Sequence, residues 1–158
     1  MEAKVITLPA FYVVGYQVEA DVAAFESGLG MQTYHALTAG RDQVLNKRHD
    51  HVILMQLYPL TPEFDPQADR FVHMLGYAVS HPDEIPLNMV SHAVPESRYV
   101  TYIHKGLESE ISRSYDYLYG EWMYATGNEP KDYDFEVWDE RYRPDSLDNE
   151  IEMFIALK

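Results

Sequence analysis

The sequence lacks cysteine, long apolar runs and an abundance of basic residues, and each absence excludes a class of function. Without cysteine there can be no disulfide, no thiol nucleophile and no cysteine-ligated zinc. No apolar run reaches about 18 residues, so the sequence predicts no membrane span. The opening MEAKVITLPAF has neither the basic nor the apolar region of a signal peptide. Together these features predict a cytoplasmic protein.

The charge is strongly one-sided. Only 12 lysines and arginines stand against 26 aspartates and glutamates, which gives a formal net charge of −14. Such a surface repels nucleic-acid phosphates and anionic lipid, so we expect neither to be a direct partner. It would attract a cationic small molecule or a basic protein. The alternative that acidity only maintains solubility stays open.

Motifs for metal, nucleotide and hydrolytic chemistry are also missing. The seven histidines are scattered without the spacing of zinc ligands, so we predict no metal and no cofactor. No glycine-rich phosphate loop and no serine-hydrolase motif occurs. The sequence is instead rich in aromatic residues, with 13 tyrosines, 6 phenylalanines and 2 tryptophans. Tyrosine combines a flat apolar ring with a polar tip and therefore suits the recognition of amphipathic ligands.

Hydrophobic periodicity predicts the same order of elements twice, which is strand, helix, strand, strand. The predicted strands are 11–18, 51–58 and 70–79 in the first half, and 98–104, 132–140 and 150–157 in the second. The predicted helices are 31–45 and 107–122. This pattern indicates an α+β fold of duplicated βαββ units in one domain, 1–158, with halves of about 1–85 and 95–158. We expect one largely antiparallel curved sheet, two helices on one face and a ligand cleft on the other.

The stretch DYDFEVWDERY places a carboxylate inside a predicted strand. Because side chains alternate along a strand, Glu136 and Trp138 share one face and Phe135 and Val137 the other. We predict that the apolar pair packs under a helix, which leaves Glu136 and Trp138 on the helix-free face with Phe154 of the last strand. A carboxylate beside aromatic rings is suited to binding a cation. The alternative is that Glu136 simply faces water on an exposed sheet.

The motifs of the chain resemble the GyrI-like small-molecule-binding family. This family includes effector-binding domains of AraC-type and MerR-type multidrug regulators, and stand-alone relatives such as the gyrase inhibitory protein. The resemblance is carried by FYVVGYQV, MLGYAV, RYVTYIHKG, YDYLYGEWMYATG, DFEVWDERY and IEMFIAL. It implies a bacterial protein with a duplicated βαββ fold and a ligand cleft at the junction of the halves.

The resemblance also implies roles for individual residues. In multidrug-binding members a buried glutamate on the penultimate strand pairs with lipophilic cations, and by motif position that residue is Glu136. Trp138 stands where the family often has tyrosine. The other ligand-binding candidates implied by motif position are Tyr115, Tyr119, Trp122 and Phe154. For Trp122, a core role in its helix is the favoured interpretation.

Three hypotheses follow for the function. The first is a stand-alone protein that binds an amphipathic or cationic small molecule, since the sequence before the first predicted strand leaves no room for a helix-turn-helix domain. The second is a hydrolase of strained electrophilic compounds with Glu136 as its catalytic base. The third is an acidic module that occupies a basic protein partner, as the gyrase-inhibitory relative suggests.

Overall fold

The computed structural model describes residues 2–158. Its strands are β1 (Lys4–Leu8), β2 (Phe11–Ala20), β3 (Val52–Leu57), β4 (Phe71–Val79), β5 (Val90–Val94), β6 (Ser97–Lys105), β7 (Pro130–Trp138) and β8 (Glu150–Leu157). Helix α1 consists of Val22–Ala24, a π-helical segment Phe25–Leu29 and Gly30–Ala39. Helix α2 consists of a 3₁₀ turn Glu108–Glu110, Ile111–Asp116, a π-helical segment Tyr117–Trp122 and Met123–Thr126. A further 3₁₀ turn is Arg41–Gln43.

All eight strands form one antiparallel sheet in the order β1-β6-β8-β7-β3-β4-β2-β5. Strands β1 and β2 stand near opposite ends of this order, yet only Pro9 and Ala10 separate them in the chain. The ends of the sheet must therefore lie close together, so the sheet is strongly curved. Gly15 and Gly76 sit opposite each other on β2 and β4, where the backbones approach too closely for a side chain at either position.

The observed order confirms the predicted α+β architecture of repeated units. The first unit is β2-α1-β3-β4 and the second is β6-α2-β7-β8, and the pairing of β3 with β7 joins them at the centre of the sheet. Both helices pack on the same face. Among the described residues no helix is long and apolar enough to cross a membrane.

The sequence missed two edge strands and the start of the first helix. Strand β1 was not predicted, and β5 lies within the stretch predicted to be a linker between the halves. Helix α1 begins at Val22 rather than at Met31. Asp21 caps this start by accepting a hydrogen bond from the Ala24 amide at 2.7 Å. Gly28, with φ of 143°, is not helical and kinks the chain between two helical segments, and the second segment ends at Ala39 rather than at the predicted residue 45.

Helix α2 agrees better with its sequence signals. It extends to Thr126, and Gly127 follows in the left-handed conformation with φ of 72°. The Gly127 amide donates a hydrogen bond to the Met123 carbonyl, which satisfies one of the free carbonyls of the last turn. The chain then enters β7 at Pro130, and the helix predicted over 107–122 ends at Thr126, four residues further than predicted.

The prediction of which face of the sheet each residue of β7 occupies was wrong. Glu136 and Trp138 project towards the helices, and Trp138 belongs to the core beneath them. Phe135 and Phe154 instead lie in a second core on the helix-free face, with Val137 packed against it. The curvature of the sheet closes this face around aromatic side chains, so it is a buried core and not the open cleft that the sequence predicted.

Candidate functional site

Two carboxylates are buried side by side at the centre of the sheet. Asp134 and Glu136 project from β7 towards helix α2, and their side chains are 1% and 4% exposed. On the neighbouring strand β3, Gln56 pairs with Asp134 and Leu54 pairs with Glu136. Their spacing of two residues places them on one face of the strand, roughly 7 Å apart along it.

Asp134 accepts hydrogen bonds from three uncharged side chains. The hydroxyl of Tyr58, just beyond β3, donates to Oδ2 at 2.7 Å, and the hydroxyl of Tyr119 on α2 donates to the same atom at 2.6 Å. The Gln56 amide donates to Oδ1 at 2.7 Å. Hydrogen bonds to a charged acceptor are stronger than those between neutral groups, so this set holds Asp134 firmly.

Glu136 has two donors and is less fully enclosed by hydrogen bonds. The Tyr115 hydroxyl on α2 donates to Oε2 at 2.5 Å, and the Trp138 indole N–H donates to Oε1 at 3.0 Å. The Gln56 amide also donates to the Tyr115 hydroxyl at 2.8 Å, which links the two carboxylates through one network. Each carboxylate oxygen of Glu136 keeps a lone pair that a ligand could use.

Burial raises the pKa of both carboxyl groups. The pKa of Glu136 rises to about 7, because desolvation and the negative charges of Glu108 and Asp134 outweigh the hydrogen bonds from Tyr115 and Trp138. The pKa of Asp134 rises to about 6 for the same main reason, desolvation, opposed by its three donors. Burial and the adjacent carboxylates raise the pKa of Tyr115 and Tyr119 as well.

Among the described residues, no basic side chain neutralises these carboxylates. Within residues 2–158, neither Asp134 nor Glu136 takes part in an ion pair with a lysine, arginine or histidine at 4.0 Å or less. Ionising a buried carboxyl group that has no positive partner is unfavourable, because the charged form loses the free energy of hydration. The site therefore favours either a proton or a cation brought by a ligand.

An aromatic cluster covers Glu136 from the side of helix α1. The ring of Tyr142, in the loop after β7, stacks on the Trp138 indole with centroids 4.3 Å apart and planes 2° apart. Tyr34 of α1 contacts both rings, at 5.6 Å from Trp138 and 6.2 Å from Tyr142. The Tyr142 hydroxyl donates to Glu108 Oε2 at 2.7 Å, which holds the ring in place. Electron-rich ring faces next to a carboxylate are an environment that attracts a cation.

The structure brings together most, but not all, of the candidates proposed from the sequence. Glu136, Trp138 and Tyr115 are in direct contact, and Tyr119 binds the neighbouring Asp134. Trp122 packs against the core beneath the helices. Phe154 is separated from Glu136 by the sheet, because it pairs with Phe135 and stacks on that ring with centroids 4.6 Å apart.

Sequence reasoning missed several residues of the site. Alternation along the strand puts Asp134 on the same face as Glu136, but the sequence analysis predicted no function for Asp134. Gln56 and Tyr58 carry a weak signal, since they alternate with apolar residues near the end of β3. Only the pairing of β3 with β7 places them beside Asp134. For Tyr34, Tyr142 and Glu108 the sequence holds no local signal, because they come from α1, from the loop after β7 and from the start of α2 and meet only in the folded chain.

The histidines do not contribute to this network. His104 joins β6 to α2, with Nδ1 at 2.7 Å from the Ser114 hydroxyl and Nε2 at 2.9 Å from the Leu107 carbonyl. Across the part of the chain that the structure describes, no three histidine, aspartate or glutamate side chains come together as a metal site.

Comparison with known proteins identifies the family. Residues 4–157 match the family Cass2, described as integron-associated effector binding protein. The chain belongs to this family. The match covers both repeats and both helices, and it confirms the resemblance to effector-binding domains that the sequence motifs indicated.

Proteins similar to this Cass2 chain include a transcriptional regulator and two proteins of known structure. The transcriptional regulator BrlR of Pseudomonas aeruginosa is 25% identical over 159 residues, which cover 99% of this chain but 56% of BrlR. The structure of SAV2435 bound to tetraphenylphosphonium is 14% identical with a TM-score of 0.75 and covers 100% of this chain and 94% of that one. The Vibrio cholerae integron cassette protein VCH_CASS2 is 18% identical with a TM-score of 0.59, covering 99% and 95%. At these identities the two structures show a shared fold.

Proposed function

We propose that this protein binds an amphipathic small molecule with a positive charge, and that Glu136 supplies the counter-charge. The observation that carries the proposal is the pair of buried carboxylates that contact only neutral donors. A cation at Glu136 would replace the missing positive partner and recover part of the cost of burying the charge. Membership of an effector-binding family and the binding of tetraphenylphosphonium by SAV2435 support the same class of ligand.

The two carboxylates would have different roles. Asp134 is already bonded to Tyr58, Tyr119 and Gln56, so it would hold the two tyrosines in position and add negative potential. Glu136, with fewer bonds, would contact the ligand. The Trp138 and Tyr142 rings would provide the stacking faces for the apolar part.

Binding would require a side chain to move. Glu136 is only 4% exposed, and neither the surface cavity of about 340 Å³ beside β6 and α2 nor the one of about 220 Å³ on the helix-free face is lined by Asp134 or Glu136. Tyr142 lies on a loop and contacts the Trp138 indole that bonds Glu136. Displacement of the Tyr142 ring would open a path to the carboxylate and leave a Trp138 face free for a ligand.

Calorimetric titration with tetraphenylphosphonium and with the neutral triphenylphosphine oxide tests the proposal. We expect wild-type protein to bind the cation and to discriminate against the neutral compound. Glu136→Gln should weaken cation binding by roughly thirtyfold, since it removes a desolvated partner of the charge. Glu121→Gln, an exposed change on α2 that alters the net charge equally, should have no effect. Equal affinity for both compounds, or equal loss in both variants, would refute the proposal.

A hydrolytic role is the second candidate, and one observation favours it. A carboxyl group with a pKa near 7 is suited to accept a proton from water at neutral pH. Incubating a strained electrophile such as an epoxide with wild type and Glu136→Gln tests this role. Hydrolysis by the wild type alone would make Glu136 a base as well as a counter-charge.

The acidic surface offers less support for a protein partner. Asp139, the first of the acidic residues after β7, is bonded to Arg141 at 2.7 Å, and Arg141 also lies 3.7 Å from Glu152. Part of this acidity is therefore neutralised within the chain. A basic partner stays a proposal that rests on net charge and on the family resemblance.

A further inference from the structure

The helix-free face of the sheet contains a cavity with a chemistry opposite to that of the Glu136 site. Its volume is about 220 Å³, and it opens beside the turn between β1 and β2. Its floor and walls are apolar and include Phe11, Ile53, Ala78, Phe135, Val137 and Phe154. The eight-stranded sheet separates it from Asp134 and Glu136, because alternate residues of β7 project to opposite faces.

The cavity is lined in part by aromatic rings that are themselves largely buried. Phe135 and Phe154 stack with centroids 4.6 Å apart and planes 15° apart, and Phe11 meets Phe135 edge-on at 5.7 Å. Aromatic rings pack against such surfaces in offset or edge-on contact. An apolar cavity of roughly 150 Å³ is large enough to hold benzene. The present cavity is open to the surface, and its volume of about 220 Å³ exceeds that value.

The ionisable side chains that line this cavity, Arg48 and His49, are both basic. Burial and the neighbouring His51 and Arg48 lower the pKa of His49, so at neutral pH Arg48 carries the positive charge. No carboxylate lines the cavity, although the chain has 26 acidic residues and 12 basic ones. Within residues 2–158 Arg48 makes no ion pair at 4.0 Å or less, since the adjacent Asp50 faces Lys47. The Arg48 amide donates to the Ala78 carbonyl at 2.9 Å, which fixes the backbone of Arg48 at the cavity rim.

We propose that this cavity is a second ligand site, specific for a small aromatic carboxylate. The ring would pack against Phe135 and Phe154, and the carboxylate would bind the Arg48 guanidinium at the rim. Arginine offers paired N–H donors that match a carboxylate. The site is independent of cation binding at Glu136, because different residues on the other side of the sheet form it.

Titration of ¹⁵N-labelled protein with three compounds of one ring system, followed by amide chemical shifts, tests the charge preference. The probes are 2-naphthoate, 2-naphthalenemethanol and 2-naphthylmethylammonium. For a ligand of this size we expect a Kd for 2-naphthoate of roughly 0.1–1 mM. The neutral alcohol should bind about tenfold more weakly, and the ammonium compound more weakly still. The largest shifts should fall in β3, β7 and β8. No binding of 2-naphthoate, or equal affinity for all three compounds, would overturn the proposal.

Two variants with matched controls test the location. Arg48→Gln should reduce the affinity for 2-naphthoate about tenfold, to the level of the neutral alcohol. Arg113→Gln makes the same change in charge at the larger cavity, between β6 and α2, and should leave the affinity unchanged. Loss of 2-naphthoate binding in Arg113→Gln instead of Arg48→Gln would place the ligand in that cavity and overturn the proposal.

The remaining variants separate the two faces of the sheet. Val137→Phe should fill the cavity and abolish binding of all three compounds, and the half-exposed position of Val137 allows the larger side chain. Glu136→Gln should leave 2-naphthoate binding unchanged. Weaker 2-naphthoate binding in Glu136→Gln would mean that the ligand does not occupy the helix-free face, and the proposal would fail even if the Arg48 result held.

Discussion

On strand β7, consecutive residues build two buried surfaces of opposite character. Asp134 and Glu136 face the helices, where hydroxyl, amide and indole groups bond them. Phe135 and Val137 face the other side, where aromatic rings surround them. Along the strand from Tyr133 to Glu136 every residue is buried.

The difference between the two faces shows that the neighbouring elements decide what a buried strand can hold. Helix α2 presents Tyr115 and Tyr119 towards the sheet, with rings stacked 6.4 Å apart, and their hydroxyl groups make buried carboxylates tolerable. On the helix-free face the buried side chains around Phe135 are mostly apolar, and polar groups near β7 bond one another, as the Tyr99 and Tyr133 hydroxyls do at 2.9 Å and Thr101 does with Glu152 at 3.2 Å. That face is therefore stabilised by apolar burial.

The largest expected effect is on the apolar face. Phe135→Ala should lower the free energy of unfolding by about 3–5 kcal/mol, because it removes a buried ring and leaves a cavity beside Phe154 and Tyr99. Urea unfolding measures the change. Val137→Ala, at a half-exposed position of the same face, should cost about 1 kcal/mol. Similar costs at both positions would mean that the aromatic packing does not dominate this face.

The next effect should appear on the polar face as a dependence on pH. Burial raises the pKa of Glu136 from its usual 4.5 to about 7, so the folded protein binds the proton more tightly than the unfolded chain. The contribution of Glu136 to stability is then fully present below about pH 4.5 and is lost as the pH rises to about 7. The shift corresponds to about 3 kcal/mol.

The comparison of wild type with Glu136→Gln isolates this contribution. The free energy of unfolding of wild type, relative to Glu136→Gln, should fall between pH 5 and pH 7.5 and then level off. Urea unfolding at several pH values gives both curves. Glu121→Gln, at an exposed site, should follow the wild-type curve throughout. Parallel curves for wild type and Glu136→Gln would mean that Glu136 titrates normally.

The smallest effect concerns the aromatic cover of the polar face. Tyr142→Phe keeps the stack on Trp138 but removes the hydrogen bond to Glu108, and should lower stability by about 1 kcal/mol. If the Tyr142 ring must move for a ligand to enter, the same change should strengthen tetraphenylphosphonium binding up to about fivefold, since that bond no longer has to be broken. Thermal unfolding and calorimetric titration measure the two effects. Unchanged affinity with lowered stability would show that Tyr142 does not cover the entrance.

The sequence predicted the strands of the second half well because their alternation is strong. Strand β8 was predicted with the observed bounds, and the alternation correctly put Glu136 with Trp138 and opposite Phe135. Strands β1 and β5 were missed, because edge strands with exposed faces carry a weak hydrophobic signal. Helix α1 was predicted over 31–45 but spans residues 22–39, so the prediction missed its first turns and continued past its end.

The candidate site was predicted in part. Local alternation and motif position led to Glu136, Trp138, Tyr115 and Tyr119, and the structure brings these four side chains into one connected network. The part that Asp134 plays in the site is visible only from its hydrogen-bond partners in the structure. Gln56 is 78 residues away along the chain, and no periodicity reports a contact at that distance.

The sequence by itself determined the six strands and two helices of the repeated units and the pairs of residues that share a face, because these depend on periods of two and of about 3.6 residues. Only the tertiary structure decided which face of β7 lies under the helices. A period fixes the relative orientation of neighbouring side chains, but it does not say which direction leads to a helix. That choice depends on sheet curvature and on the tyrosine hydroxyls of α2, which make the helix side suitable for two carboxylates and leave Phe135 and Phe154 on the other.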